Sequence, residues 1–183
     1  MVNEKRIIEK MQQLQYHLKI FFNDIKWLAK AMNSTPLPKL PSDGKRKAAD
    51  CKNTALATVG DAILKAILTD YFFSSNSNCE ARKGEITKSK EKLENNTVLY
   101  AVMERFGLKQ YTYNDYAFFT DPQKDHQKVG DSKHNQYIEA IVAAIYYDQG
   151  FDKAKEWVLD YLLPKLKIVS EDFEQEDLRF YFR

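Results

Sequence analysis

Two carboxylates stand where an apolar helix should not tolerate them. Asp61 lies within the predominantly apolar segment Ala55–Leu68, and Glu139 lies within the similar segment Tyr137–Tyr147. Burying a charge is costly unless the charge is paired or bound to a cation, so each residue needs a specific reason to be there. Two carboxylates that converge in a cleft offer the hard oxygen ligands that Mg²⁺ or Mn²⁺ prefers. The alternative is that each one caps a neighbouring helix or forms an ion pair with a lysine.

The segments around these two carboxylates have the composition of buried helices. Residues 53–73 carry apolar side chains on nearly every face of a helix, and residues 137–147 do so on most faces. A helix of this kind belongs in the centre of a fold. We therefore expect two central helices, which place Asp61 and Glu139 in one cleft if the helices are neighbours.

The rest of the chain is also predicted to be helical. Apolar residues recur three or four apart over residues 3–32 (one helix or two), 85–106 and 151–163. We expect Asn95-Asn96 to divide the second pattern, Gly107 to cap its end, and Pro164 to end the third. Because no strand-like alternation is present and the chain has only 6 Gly and 5 Pro, the predicted class is all-α, a helical bundle.

A chain of 183 residues is expected to form one core. We predict an N-terminal helical region with a proline-containing loop over residues 1–50, a main domain over 51–168, and an acidic and then aromatic tail over 169–183. Residues 33–52 hold three of the 5 prolines and are predicted to be an irregular loop. Residues 109–134 are predicted to be a surface excursion, because they are rich in polar side chains.

Net charge gives a weak indication of the partner. The value of +2 argues against a strongly basic nucleic-acid coat protein, although basic residues prevail in the first hundred positions and acidic residues prevail after them. The run Lys45-Arg46-Lys47 is a candidate phosphate contact, and the alternative is an ordinary solvated loop. The three histidines, His17, His126 and His134, are not expected to take part in catalysis.

Cysteine usage and hydropathy indicate the compartment. Two cysteines, Cys51 and Cys79, are too few and too far apart for a disulfide framework or a cysteine-rich zinc site, which favours a reducing compartment. No apolar run approaches the roughly 18 residues that a membrane-spanning helix needs. We expect an intracellular protein of the cytoplasm or nucleus, with no membrane partner.

Three blocks of the sequence resemble the ribonuclease III family. Asn53–Leu64 resembles the family signature Glu-Arg-Leu-Glu-Phe-Leu-Gly-Asp, followed by a small residue and two apolar ones. Gly84–Leu99 is similar to the Gly-x-Leu-Thr block that leads to Lys/Arg-x-x-Leu-x-x-Asn-x-x-Leu. Glu139–Phe151 resembles Glu-Ala-Leu-Ile-Gly-Ala-Ile-Tyr-Leu-Asp-x-Gly-Phe almost residue for residue. The blocks stand in the family's order and cover roughly residues 50–165, whereas the first 50 residues match poorly.

The resemblance implies an active site with a reduced set of acidic residues. The four carboxylates of the family fall at Ala57, Asp61, Gln136 and Glu139, so two of the four are absent. Ala57 cannot bind a metal, whereas the amide of Gln136 still offers a carbonyl oxygen. The resemblance therefore implies that Asp61 and Glu139 are catalytic residues and metal ligands, that Gln136 is a weak ligand, and that Mg²⁺, or Mn²⁺, is the cofactor.

Two functions follow from the resemblance. The short Mini-ribonuclease III branch is also similar to this chain in its Ala-Leu-Ala-x-x-Gly-Asp signature, and this similarity implies an active endoribonuclease that cuts double-stranded RNA to 5′-phosphate and 3′-hydroxyl ends. The alternative is a catalytically inactive relative that keeps the fold and binds RNA within a ribosome or another complex.

The resemblance also implies a homodimer with one RNA groove across both subunits. Besides Lys45, Arg46 and Lys47, we expect Lys83 and Lys88 to contact RNA, and no counterpart of the family's double-stranded-RNA-binding domain is expected. Thr58 replaces an aromatic residue that contacts the partner subunit in the family, so Thr58 and Val59 are predicted at an altered dimer interface. The aromatic tail Phe180–Phe182 either compensates for that change or is a disordered terminus.

Overall fold

The structure, a computed structural model, describes residues 2–38, 50–75, 83–115 and 136–181. In chain order the helices are α1 (Val2–Leu18), α2 (Lys26–Ala31), α3 (Thr54–Ser74), α4 (Lys83–Glu94), α5 (Asn96–Arg105), α6 (Tyr137–Gln149), α7 (Phe151–Trp157) and α8 (Leu163–Tyr181). A 3₁₀ turn, Lys109–Tyr111, follows α5, and a π-helical turn, Val158–Leu162, joins α7 to α8. These ranges contain two isolated bridges and no strand, so the all-α prediction is confirmed.

Helix α6 forms the centre of the fold, as its composition predicted. Every side chain from Tyr137 to Ile145 is buried. Helix α3 packs along α6 and buries Leu56, Leu64 and Leu68 in the core, and α2 also packs on α6. Helices α4, α5 and α8 complete the bundle on the side of α3. No helix in the described part of the chain is long and apolar enough to cross a membrane.

Two helix boundaries predicted from single residues are confirmed. The side chain of Asn95 caps α5 by accepting a hydrogen bond from the backbone N–H of Val98 at 2.9 Å, so α4 and α5 are separate helices. Gly107 follows α5 with a φ of +67°, a left-handed conformation that glycine adopts without steric cost. Residues 3–32 form two helices, α1 and α2.

The predicted helix end at Pro164 is wrong. Pro164 lies in the first turn of α8, directly after the π-helical turn Val158–Leu162. In a π-helical turn the carbonyl of Asp160 is not directed at the residue four positions later, so the missing N–H of Pro164 breaks no bond. Helix α8 then crosses the boundary predicted at residue 168 and buries Val169 and Ser170. The side chains of Phe180, Tyr181 and Phe182 lie outside the described residues.

Parts of both predicted loops are buried, which corrects two further expectations. Tyr111 and Tyr113 are in the core although they belong to the predicted surface excursion. The backbone of Tyr113 bonds to Met32 and Ser34, at 3.0 and 2.9 Å. These bonds also bury the start of the loop predicted over residues 33–52, because Ser34 and Thr35 pack beneath them. Residues 39–49 and 116–135 lie outside the described ranges.

Helices α3 and α6 are in tight contact at Gly60. A Cβ atom on Gly60 would lie 1.7 Å from the carbonyl oxygen of Glu139 and 3.1 Å from the backbone nitrogen of Ala143. Real Cβ atoms do not approach backbone atoms this closely, so only glycine fits between the two helices here. The contact therefore fixes the position of Asp61, the next residue on α3, relative to Glu139 on α6.

Substituting Gly60 tests this contact. Gly60→Ala is expected to lower the free energy of unfolding by about 2 kcal/mol or more, because the added methyl group must push two backbones apart. Gly84→Ala is the matched control: a Cβ there meets nothing within 4 Å, so stability should not fall. Urea unfolding measures both variants, and equal stability of the two would contradict the close approach.

Candidate active site

Glu139 is the most deeply buried acidic side chain of the described residues. It lies in the first turn of α6 and is only 2% exposed. Burial raises its pKa to about 7, and a hydrogen bond from its own backbone N–H opposes this rise. The nearby Asp61 charge raises the pKa further, whereas the Lys65 charge lowers it. Burial therefore favours the neutral, protonated form of Glu139 relative to an exposed glutamate.

One oxygen of Glu139 lacks a partner. Its Oε2 atom is buried and accepts no hydrogen bond from any residue that the structure describes. Leaving a buried carboxylate oxygen unsatisfied is unfavourable, and such atoms in native structures often mark the place of an ion, a water or a proton. Glu139 also forms no ion pair with any residue that the structure describes, so the ion-pair alternative left open by the sequence does not account for it.

Asp61 is near enough for its charge to act on Glu139, but it is held by a lysine. Its Oδ2 atom accepts a hydrogen bond from Lys65 Nζ at 2.8 Å, one turn along α3, and both side chains are partly exposed. This bond raises the pKa of Lys65, whereas burial of the side chain lowers it. The negative charges of Asp61, Glu94 and Glu139 raise the pKa further. The ion-pair alternative therefore holds for Asp61, and Lys65 is a cation among three carboxylates.

Glu94, at the end of α4, is an acidic residue that sequence reasoning missed. Lys90 Nζ lies 3.3 Å from its Oε1 atom, while its Oε2 atom is buried and has no hydrogen-bond partner in the described ranges. Four-residue spacing made Lys90 and Glu94 resemble an ordinary pair on an exposed helix face. Because the interaction with Lys65 crosses from α4 to α3, no pattern within α4 could indicate it.

The two positions without carboxylates differ in their surroundings. Ala57 is completely buried, so a methyl group in the core occupies the position that the resemblance matched to a family carboxylate. Gln136 directly precedes α6 and, with Asn96, Tyr100 and Glu139, lines a narrow cleft. Its amide oxygen is thus available at the same cleft as Glu139.

The other residues singled out from the sequence lie on the surface or outside the described ranges. Lys83 and Lys88 are exposed on α4, whereas Lys45, Arg46 and Lys47 are outside the described residues. Thr58 is exposed and its hydroxyl donates a hydrogen bond to the carbonyl of Thr54 at 3.0 Å. Val59 is partly buried and packs against the core.

Comparison with known proteins decides the family. Residues 42–166 match the family model described as Ribonuclease-III-like. This chain belongs to that family. Among curated relatives, ribonuclease 3 of Clostridium acetobutylicum is 28% identical over 159 residues, which are 86% of this chain and 62% of the relative. Ribonuclease 3 of Fusobacterium nucleatum is 22% identical over 173 residues, 94% of this chain and 69% of the relative.

Solved structures agree on the fold. The nuclease domain of ribonuclease III from Campylobacter jejuni superposes with a TM-score of 0.57 and 24% sequence identity, covering 83% of this chain and 93% of that one. A second crystal structure of that domain gives the same TM-score at 22% identity. The ribonuclease III nuclease-domain fold predicted from the three sequence blocks is therefore confirmed, whereas the residue roles assigned to Asp61, Gln136 and Glu139 remain predictions.

The burial of Glu139 predicts a pH-dependent stability. A carboxyl whose pKa rises from 4.5 to about 7 on folding makes its full contribution to the free energy of unfolding below pH 4.5. This contribution is lost as the pH rises to about 7. Glu139→Gln removes the charge at similar volume, so the variant should lack this loss and exceed the parent by about 3 kcal/mol at pH 8. Urea unfolding at pH 5 and pH 8 measures the difference. A difference that does not change with pH would contradict the burial of an ionisable group here.

Proposed function

We propose that this protein is a divalent-metal-dependent endoribonuclease that cleaves double-stranded RNA to 5′-phosphate and 3′-hydroxyl ends. The observation that carries the proposal is the unpartnered, buried Oε2 atom of Glu139, a carboxyl on which the Asp61 charge acts and whose backbone is in tight contact with Gly60 of α3. Family membership and the relatives named ribonuclease 3 support the same reaction class. The matched region spans 62% of the length of the first of these relatives, so the activity of that whole protein is a proposal for this chain.

The donors at this site fit a hard divalent cation. Asp61 and Glu139 supply carboxylate oxygens and Gln136 supplies an amide oxygen, which are the ligand types that Mg²⁺ and Mn²⁺ accept. Within the described ranges, no three His, Cys, Asp or Glu side chains lie together closely enough to form a metal site alone. Water and the phosphate oxygens of the substrate would therefore complete the coordination. When bound, the metal polarises the scissile phosphate and lowers the pKa of a coordinated water.

Two side chains at the site must change before a cation can bind. Glu139 releases its proton when a cation approaches, since a nearby positive charge favours the ionised carboxyl. Lys65 neutralises Asp61 in the absence of a cation and must move away from Oδ2 to make that oxygen available. Both events oppose binding, so we expect a weaker affinity for Mg²⁺ than a site with four carboxylates would have.

Two exposed lysines of α4 are the proposed RNA contacts. Lys83 and Lys88 are exposed on the helix whose end carries Glu94, and α5, which follows, contributes Asn96 and Tyr100 to the cleft. Exposed lysines can bind the phosphate backbone without reading the sequence. Recognition would then depend on the A-form shape of the duplex and on its 2′-hydroxyls.

Cleavage assays on site variants test the proposed activity. Asp61→Asn and Glu139→Gln are each expected to lower the cleavage rate of long double-stranded RNA in Mg²⁺ by at least about a hundredfold, because each removes a ligand charge at the reacting phosphate. Asp70→Asn is the matched control on α3, since Asp70 is exposed and pairs with Lys155; its activity should be unchanged. Product lengths are measured on gels.

Two outcomes would contradict the proposed activity. Full cleavage by Asp61→Asn or Glu139→Gln would show that these residues are not the site. RNA binding that is indifferent to Ca²⁺, with no cleavage in Mg²⁺ or Mn²⁺, would favour the inactive RNA-binding alternative. An active enzyme should bind RNA more tightly in Ca²⁺ without cutting it, because a bound cation reverses the local negative charge.

We also propose a homodimer that pairs through the outer face of α3. Ala55, Thr58, Ala62 and Ala66 are exposed along this face, with Val59 partly exposed beside them. Small side chains allow two helices to pack closely, and a two-fold dimer is the commonest closed assembly. The Campylobacter nuclease domain is described as having a region involved in dimer formation, which supports this arrangement.

Light scattering tests the dimer. The protein at micromolar concentration should have about twice the chain mass of 21.4 kDa. Thr58→Arg should shift the mass toward 21.4 kDa, because the added charge and bulk lie on the paired face, whereas Gln13→Arg, exposed on α1, should not. A monomeric parent protein that still cuts both strands would contradict a groove shared by two subunits.

A further inference from the structure

A second pocket lies away from the active-site cleft, between the end of α1 and the turn that joins α7 to α8. Its volume is about 170 Å³, which leaves room for a group the size of a phosphate. It shares no lining residue with the cleft at Glu139. The lining residues are mostly charged or aromatic, and they include the π-helical residues Asp160 and Tyr161. Departures from α-helix geometry of this kind are frequent at functional sites.

The charges in this pocket leave two lysines without a carboxylate partner. Lys153 pairs with Glu156 at 2.7 Å. Within the described ranges neither Lys19 nor Lys165 forms an ion pair, although the exposed Asp160 also lines the pocket. Lys165 Nζ lies 3.5 Å from the centre of the Tyr161 ring and donates to the Tyr161 carbonyl at 3.2 Å. Burial lowers the pKa of Lys165, and the charge of Lys19 lowers it further, so an anion between the two would relieve an existing repulsion.

Lys19 stands at a backbone position that usually carries glycine or asparagine. It directly follows α1 with a φ of +54°, in the left-handed region, and is the only described non-glycine residue there. Hydrogen bonds fix this conformation: the N–H of Ile20 donates to the Gln15 carbonyl at 3.2 Å, and Trp157 Nε1 donates to the Leu18 carbonyl at 2.8 Å. Lysine has a steric cost in this left-handed conformation that glycine does not have. The lysine side chain places a positive charge at the pocket.

Two exposed aromatic rings lie next to Lys19 along the chain. Tyr16 is 70% exposed and Phe21 is 60% exposed, and their ring centres are 5.2 Å apart in an edge-to-face arrangement. Exposed apolar surface that is contiguous, rather than scattered, is a feature of interaction sites. Aromatic rings beside lysines are the features with which proteins bind single-stranded nucleic acid, since bases stack on the rings and phosphates contact the cations.

We propose that this pocket binds single-stranded RNA, with one phosphate between Lys19 and Lys165 and a neighbouring base on Phe21 or Tyr16. The choice of RNA over other anions rests on the proposed function. The site would hold an unpaired segment next to a duplex or the released end of a product strand. Its ligand thus differs in class from the duplex that the active-site cleft would receive.

Binding of a short RNA to a non-cleaving protein tests this site. The probe is fluorescent hexa-adenylate, the protein carries Asp61→Asn, and anisotropy is recorded in EDTA. Lys19→Asn should weaken binding about tenfold, because it removes a charged contact, while asparagine tolerates the left-handed backbone. The slope of log affinity against log salt should fall in magnitude by about 0.7, the value for one phosphate contact on a single strand. Phe21→Leu should weaken binding about tenfold through lost stacking.

A control variant and a second probe distinguish this RNA site from a free-phosphate site and from a protein interface. Lys167→Gln, which removes an exposed lysine two positions after Lys165, should bind the hexamer as the parent does. If either Lys19→Asn or Phe21→Leu leaves the affinity for the hexamer unchanged, the proposal is overturned. Inorganic phosphate that binds as tightly as the hexamer would also overturn it in favour of a free-phosphate site, and absence of binding to both probes would overturn it in favour of a protein partner. Because cleavage is assayed separately on duplex RNA, failure of the proposed activity would leave this result interpretable.

Discussion

The contact between Gly60 and the backbone of Glu139 is the constraint on which the site depends. Without a side chain at position 60, α3 and α6 approach until backbone atoms touch. This approach sets Asp61 beside Glu139 and excludes enough water to raise the pKa of Glu139 to about 7. The same packing makes α6 the buried centre of the bundle, with α2 on it as well as α3. The chemistry of the site thus follows from a steric requirement at one residue.

The central electrostatic feature is a site with few carboxylates and an internal cation. Ala57 fills core volume at a position that the sequence resemblance matches to a family carboxylate, and Gln136 is neutral, so Asp61 and Glu139 are the two acidic residues at the four matched positions. The positive charge of Lys65 offsets the negative charges of Asp61 and Glu139. It also offsets the charge of Glu94, which comes from α4. Fewer acidic groups reduce the repulsion between neighbouring charges in the folded protein. In the proposed function, cation binding would depend on release of the Glu139 proton and on displacement of Lys65 from Asp61.

Local signals in the sequence are sufficient to predict most of the helices and two residues of the site. Asn95 and Gly107 act on their own neighbours, so their capping roles could be predicted. Asp61 and Glu139 are conspicuous because each interrupts an apolar segment. The interaction of Glu94 with Lys65 could not be predicted, because it joins two helices. The position of Pro164 within a helix could not be predicted, because an apolar pattern does not reveal the π-helical turn before it. The burial of Tyr113 could not be predicted either, because it depends on hydrogen bonds to residues 32 and 34.

The most direct test of a cation site at Glu139 is the titration of that carboxyl with and without metal. In protein labelled with carbon-13 at the glutamate carboxyl, assigned by comparison with Glu139→Gln, the chemical shift reports the pKa. We expect a pKa of about 7 without metal. In saturating Mg²⁺ the pKa should fall by about one unit or more, since a bound cation favours the ionised form. An ordinary pKa near 4.5 without metal, or a titration that Mg²⁺ leaves unchanged, would contradict a buried, cation-binding Glu139.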